Sequence, residues 1–241
     1  MSIITINNLY KKYKDTVALN DVSLEINEGE MFGLLGVNGA GKTTLIKILS
    51  GLSKKTSGEV KIDNFDIEKD MSKIKEIINI SPQETSVANN LTVKENLEFF
   101  AKIYGSKNDN NLSHIINTFQ LNEVLNKQAK KLSGGYKRRL SIAISLVSNP
   151  KILFLDEPTL GLDILARREL WKILQQLKNK VTIVLTSHYL EEIEALCDRV
   201  AILSKGKLLT LGTVDELKSK TNSSTFENAF ISIVEGQNEQ K

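Results

Sequence analysis

The sequence predicts an α/β fold, with an antiparallel β subdomain near its N-terminal end and an inserted α-helical subdomain in its middle. Three observations predict it. Val22, Leu24 and Ile26 alternate with Ser23 and Glu25, the period of a half-buried strand. From Thr92 to Ser148 the apolar spacing turns helical. Lys151–Leu155 and Val181–Ser187 are short apolar runs, the pattern of strands covered on both faces of a parallel sheet.

The whole chain sets outer bounds. Its 241 residues suffice for one large or two small globular units. A net charge of +3 is too small to make nucleic acid the expected ligand. The single cysteine, Cys197, allows no internal disulfide and suits a reducing compartment. No apolar run approaches the ~18 residues that cross a bilayer. The N-terminus lacks a basic segment followed by an apolar one, so no signal peptide is expected.

Taken in order, residues 1–35 read as β. Tyr13 lies in a polar turn, Asn27–Glu30 forms another turn, and Met31–Leu35 is the next strand. A glycine-rich turn and a helix with Leu45, Ile48 and Leu49 on one face follow. Gly36 to Thr43 fits G-x-x-x-x-G-K-[ST], the phosphate-binding loop. Its glycines allow successive amides to point inward around an anion, and the helix start adds unpaired N–H groups. Lys42 supplies a point charge for β- and γ-phosphates, and the Thr43 hydroxyl suits Mg²⁺.

Gly58–Ile67 reads as a hairpin turning at Asp63-Asn64, and Ile74–Ile80 as a strand-like run leading into Ser81-Pro82-Gln83. Thr92-Val-Lys-Glu95 is a capping box, and Gly105 stops the helix it opens. Ser106–Asn111 reads as a loop, with short helices at His114–Phe119 and Glu123–Lys127. Ser133 caps a further helix, Leu132-Ser133-Gly134-Gly135-Tyr136-Lys137-Arg138-Arg139. Locally this is an ordinary capped helix with a solvated basic face. The competing reading is a second anion site made by a hydroxyl, glycine amides and a helix N-terminus.

Asn149-Pro150 ends that helix, and the apolar run at Lys151 ends in Asp156-Glu157. Carboxylates at the C-terminal end of a buried strand lie where open α/β sheets bind ligands. Asp156 suits Mg²⁺, while Glu157, expected to point the other way, can orient or deprotonate an attacking water. Asp163 caps a helix running to about Lys178. His188 ends the next strand, as Asp156 does, and its imidazole can hydrogen-bond a γ-phosphate. Leu190–Cys197 reads as a helix, Val200–Leu211 as a closing hairpin and Asp215–Lys218 as a last helical piece. The tail from Glu235 to Lys241 is polar and expected to fray.

Together these stretches resemble the ATP-binding subunit of ABC transporters, over about residues 3–220. Gly36 to Thr44 matches the Walker A loop, with Asn38, Gly39, Ala40, Gly41, Lys42, Thr43 and Thr44 in place. Gln83 falls at the Q-loop, Leu132–Gly135 at the signature and Ile152–Glu157 at Walker B. Asp163 matches the D-loop, His188 the switch histidine, and Tyr13 the aromatic that stacks on adenine. The chain departs from the family at Tyr136, where Gln is usual.

The resemblance implies a phosphate-loop ATPase core. Residues 1–83 would carry the β subdomain and the first part of that core, 84–148 the helical subdomain with the signature, 149–220 the second part of the core, and 221–241 a short tail. ATP and Mg²⁺ are the implied cofactors, with Thr43, Gln83 and Asp156 around the metal and Glu157, His188 and Gln83 in catalysis. Two subunits would pack head to tail, with Ser133, Gly134 and Gly135 acting on the partner's nucleotide. The complete motif set suits a homodimer.

The form Ser-Gly-Gly-x-Lys-Arg-Arg-Leu, the segment Asn96–Gly105 and the tail Phe226–Phe230 are similar to a subset of bacterial exporters with a separately encoded, multi-span permease. The tail is equally readable as a small amphipathic helix. The chain would then sit on the inner face of the cell membrane through that permease, with no nucleic-acid partner. A soluble ABC ATPase acting on a macromolecular complex is the alternative. A non-catalytic switch is a third reading, disfavoured by the presence of Glu157 and His188.

Overall fold

Register between strands, more than any single element, decides what this fold brings together. The computed structural model describes residues 1–105 and 109–236. Strands β1 (Ser2–Tyr13) and β2 (Thr16–Asn27) form a long antiparallel hairpin. Tyr13 therefore ends a strand, and the turn itself is Lys14-Asp15, with Lys14 at φ 47°. Strand β3 (Met31–Leu35) leads through the glycine-rich loop into helix α1 (Lys42–Leu49). Strands β4 (Ser57–Ile62) and β5 (Phe65–Asp66) turn at Asp63-Asn64 as expected, both residues at positive φ.

The apolar run at Ile74 divides into helix α2 (Met71–Ile77) and strand β6 (Ile78–Ser81). Ile74 is buried on the helix, so only the second half of the expected strand is one. Helix α3 (Val93–Ile103) has the full capping box: the Glu95 N–H donates to Thr92 Oγ1 at 3.2 Å, and the Thr92 N–H donates to Glu95 Oε2 at 2.7 Å. Residues 106–108 of the expected loop lie outside the described residues. Helix α4 (Asp109–Thr118) begins earlier than its apolar spacing suggests. The short helix expected at Glu123–Lys127 is only a 3-10 turn, Asn122–Val124.

Helix α5 (Gly134–Leu146), strand β7 (Ile152–Asp156), helix α6 (Ile164–Gln175), strand β8 (Thr182–Ser187) and helix α7 (Leu190–Leu196) follow. Strands β9 (Arg199–Ser204) and β10 (Lys207–Gly212) make the closing hairpin. Helices α8 (Val214–Lys220) and α9 (Phe226–Glu235) complete the described chain. The segment after residue 220 thus contains a helix whose Phe226 and Ala229 are buried in the core. The rest of the expected frayed tail, 237–241, lies outside the described residues.

One sheet is antiparallel, order β2-β1-β4-β5; the other is mixed, order β10-β9-β3-β8-β7-β6. In the second, β9, β3, β8, β7 and β6 run parallel and β10 is antiparallel to β9. Alternate residues of the central strands face opposite layers. Leu35, Leu153, Leu155, Ile183 and Leu185 join the cluster containing Leu140 and Leu170 of α5 and α6. Phe32, Leu34, Phe154 and Val184 join the cluster of α1 and the antiparallel sheet. Each fully buried side chain of this kind contributes about 1.5–3 kcal/mol, so these strands are fixed from both sides.

Pairing of Leu35 with Ser187, Asp156 with Thr186, and Ser81 with Leu155 aligns the strand ends. The loop after β3, the Asp156-Glu157 pair, His188 and Gln83 therefore leave the sheet at one edge.

Candidate active site

A cleft of about 650 Å³ opens at that edge. Asn38, Gly39, Ala40, Gly41, Lys42, Thr43 and Thr44 form one wall, and Gln83, Glu157 and His188 face them. Two glycines shape the loop. A Cβ on Gly36 would lie 2.3 Å from the Leu203 carbonyl oxygen, so the loop can cross β9 only without a side chain there. Gly41 sits at φ 107° immediately before α1, and no side chain caps that helix. Its first amides are left to a ligand, at the positive end of the helix dipole.

Lys42 is buried beside this loop, and its Nζ donates to the Gly36 carbonyl at 2.6 Å. Burial pushes its pKa down, against the pull of Glu157 and Asp156. Nucleotide phosphates would raise it again. ATP binding should therefore take up a proton at alkaline pH. Affinity should be constant while Lys42 is charged in the free chain, then weaken as pH rises through its lowered value towards 10.5. The unliganded fold has the opposite slope over that window, because its folded state binds fewer protons than the unfolded chain. Calorimetric titration in buffers of different ionisation enthalpy measures the uptake; affinity unchanged up to pH 10.5 would count against it.

Asp156 is buried, and its Oδ1 accepts from Thr186 Oγ1 at 2.6 Å and from Thr43 Oγ1 at 3.4 Å. The Glu157 N–H donates to the same Thr186 hydroxyl at 2.9 Å. Glu157 itself has φ 47°, a left-handed backbone that costs a residue with a Cβ about 1–3 kcal/mol. This turn sends its carboxylate into the cleft, with Oε1 3.4 Å from His188 Nδ1. His188 packs its ring on Tyr189 at 4.1 Å, and the Arg167 guanidinium covers Tyr189 at 4.3 Å. On α7, buried Glu192 accepts from the lone tryptophan, Trp171 Nε1, at 3.1 Å, and burial raises its pKa.

Not every expected residue borders the cleft. Ser133 caps α5 by accepting from the Tyr136 N–H at 3.4 Å, and Asp163 caps α6 by accepting from the Ala166 N–H at 2.9 Å. The two helix starts adjoin, since a Cβ on Gly135 would be 3.1 Å from Ala166 Cβ. They form a second surface with Gly134, apart from the cleft lining. Tyr13 is exposed and outside that lining; its hydroxyl is 3.0 Å from Ser53 Oγ. Its paired residue Thr16 does line the cleft, with Val17 and Ala18.

The expected solvated basic face of α5 is corrected by the structure: Arg138 and Arg139 are both buried. Arg139 pairs with Glu169, donates to Gln120 Oε1 at 3.3 Å and lies 5.1 Å from the Tyr136 ring. Arg138 reaches the turns beneath Gln83 and Glu157. Thr186 was also missed; a hydroxyl in an otherwise apolar strand, next to its C-terminal end, was the available signal.

Among the described residues, no group of three or more His, Cys, Asp and Glu side chains could hold a metal. Mg²⁺ needs less. It keeps several waters and takes one or two protein oxygens plus substrate phosphates. Thr43 Oγ1 and Asp156 Oδ1, hard oxygens 3.4 Å apart beside the loop, fit that donor set.

A family model described as "ABC transporter" matches residues 19–160, more than half of the chain. The chain belongs to the ABC transporter family. It carries an ABC ATPase domain, and the expected α/β class and ATP-binding character are borne out. Among relatives of this ABC domain is the "Probable multidrug ABC transporter ATP-binding protein YbhF" of Escherichia coli (strain K12). It is 37% identical over 97% of this chain and 42% of the relative. "Phospholipid-transporting ATPase ABCA3" of Homo sapiens is 41% identical over 86% of this chain and 12% of its own length. The chain thus spans less than half the length of these curated relatives.

The ABC fold also matches solved structures. "Structure of ATP binding subunit of ABC transporter" has TM-score 0.85 and 26% identity, covering 97% of this chain and 100% of that one. "Dimeric structure of a post-hydrolysis state of the ATP-binding cassette MJ0796 bound to ADP and Pi" has TM-score 0.77 and 28% identity, covering 87% and 98%.

Proposed function

We propose that this chain is an ATP-hydrolysing subunit that pairs with a second copy around ATP and drives a separately encoded, multi-span permease, in the direction of export. The observation that carries the reading is the division of its motifs. Lys42, Thr43, Asp156, Glu157 and His188 meet at one cleft, while Ser133–Gly135 lie on another surface. A γ-phosphate held by Lys42 and the loop amides is then gripped from one side only. A head-to-tail second copy supplies the other side through Ser133, Gly134 and Gly135, with Asp163 beside them. Donors on both faces let two surfaces close on so anionic a ligand.

Each residue's proposed role follows from its place. The amides of Gly36 to Thr44 and the Lys42 ammonium bind the β- and γ-phosphates. Thr43, Asp156 and Gln83 hold Mg²⁺, which supplies positive charge to the phosphates when bound. Glu157 orients the attacking water and takes its proton, and His188 donates to the γ-phosphate. Tyr13 stacks on adenine next to Thr16–Ala18. Loss of the γ-phosphate removes the bridge, and the dimer opens.

Contact with the membrane partner is assigned to the helical subdomain, residues 84–148, between the two parts of the ATPase core at 1–83 and 149–220. Phe99 and Ile103 of α3 and Tyr104 just after it are exposed there, next to a 240 Å³ cavity bordered by Pro82, Phe100 and Ile144. No helix among the described residues is long and apolar enough to cross a membrane, so attachment at the inner face of the cell membrane would come through the permease. Pull-down of the tagged chain from detergent-solubilised membranes, with steady-state ATPase assay, tests the reading. A co-purifying multi-span protein supports it. Absence from membranes, with capture of a soluble macromolecular complex instead, overturns it.

A further inference from the structure

Arg138 is 4% exposed, and each of its four hydrogen bonds among the described residues goes to a backbone carbonyl. Nε donates to the Pro158 oxygen at 2.7 Å and Nη2 to the Asp156 oxygen at 3.0 Å. These two carbonyls belong to the residues on either side of Glu157. The guanidinium therefore spans the left-handed turn, whose own N–H is held from the other side by Thr186. Nη1 donates to the Pro82 oxygen at 2.6 Å and the Gln83 oxygen at 3.2 Å. One planar fork thus joins α5, the Glu157 turn and the Gln83 loop.

A buried cation faced with neutral carbonyls is an expensive way to fill space. Burial pushes the Arg138 pKa down to about 10, against the pull of Asp156 and Glu192, and the group still carries its charge at neutral pH. An apolar side chain would occupy the volume without that cost. What only the guanidinium offers is donors fixed in several directions at once, which a lysine ammonium on a flexible stem does not reproduce.

We propose that Arg138 is a positioning residue for ATP hydrolysis: it pins the Asp156–Pro158 turn so that Glu157 points into the cleft, and it locks that turn to the Gln83 loop and to α5. The proposal rests on the ATPase reading above. It makes the helix that begins at the signature and the carboxylate that activates water move as one piece. Glu157's aim then depends on how α5 is seated.

Arg138→Lys and Arg138→Met, each made alone and with Glu157→Gln, test this by steady-state kinetics and by direct Mg-ATP titration. Both single variants should lose at least about tenfold in kcat with ATP affinity within about twofold, and lysine should not rescue. In the Glu157→Gln background neither should lower residual turnover further, because Arg138 acts through Glu157. Wild-type kcat in Arg138→Lys, parallel loss of kcat and ATP affinity, or full additivity with Glu157→Gln each overturns the proposal. So does failure of both variants to accumulate as folded protein, which makes Arg138 a purely structural residue. A wild-type chain without ATPase activity is a separate outcome: it removes the ATPase reading itself, and the positioning role with it.

Discussion

Glu157→Gln is expected to bind ATP as tightly as the wild-type chain, or more so, and to lower turnover by about 10²–10⁴-fold, the range of a lost general base. The substitution is close to isosteric, so the left-handed turn at φ 47° and the N–H bond to Thr186 are retained. What disappears is an acceptor for a proton in the cleft. Asp156 is no substitute, because it is buried and, unlike Glu157, does not line the cleft. Removing one negative charge facing the phosphates also favours the bound state. The variant should accumulate as an ATP-bound dimer on size exclusion, alone or with its permease. Near-normal hydrolysis would remove Glu157 from the mechanism.

Mixing two inactive chains should restore activity if each site is shared between subunits. A Lys42→Ala chain lacks the phosphate-binding ammonium. A Gly134→Asp chain places a carboxylate on the signature surface; a Cβ there meets nothing within 4 Å, so the fold has room for it. Either homodimer has two defective sites. The mixed dimer gathers both defects into one site and leaves the other intact. Free exchange of subunits should then recover about a quarter of wild-type ATPase activity, since half the dimers are mixed and each has one working site. No recovery after subunit exchange, shown by co-purification of differently tagged chains, would argue that each copy completes its own site.

The parts of this site legible in sequence are those whose signal is local. The loop from Gly36 to Thr43 announces itself because tight turns demand glycine and phosphate demands amides and a cation at fixed spacing. Asp156, Glu157 and His188 stand out as polar residues ending apolar runs. Ile74–Ile80 reads as strand-like throughout, yet its first half is helix, because a short apolar run suits either; pairing of Ile78 with Ile152 makes only the second half a strand. Arg138 was not legible. Its four acceptors lie 18 to 56 residues away along the chain, and a basic residue after a helix cap looks solvated until the fold surrounds it. Ser133–Gly135 pose a different problem, for one copy of the chain does not bring them against the cleft.

The hydrogen bond from Trp171 to Glu192 has a practical consequence. It ties the sole indole of the protein to the helix that follows His188. Intrinsic emission, excited at the red edge of the absorption band, thus reports on that helix without any attached dye. A stopped-flow trace would time rearrangement near the histidine separately from release of phosphate, using unlabelled material.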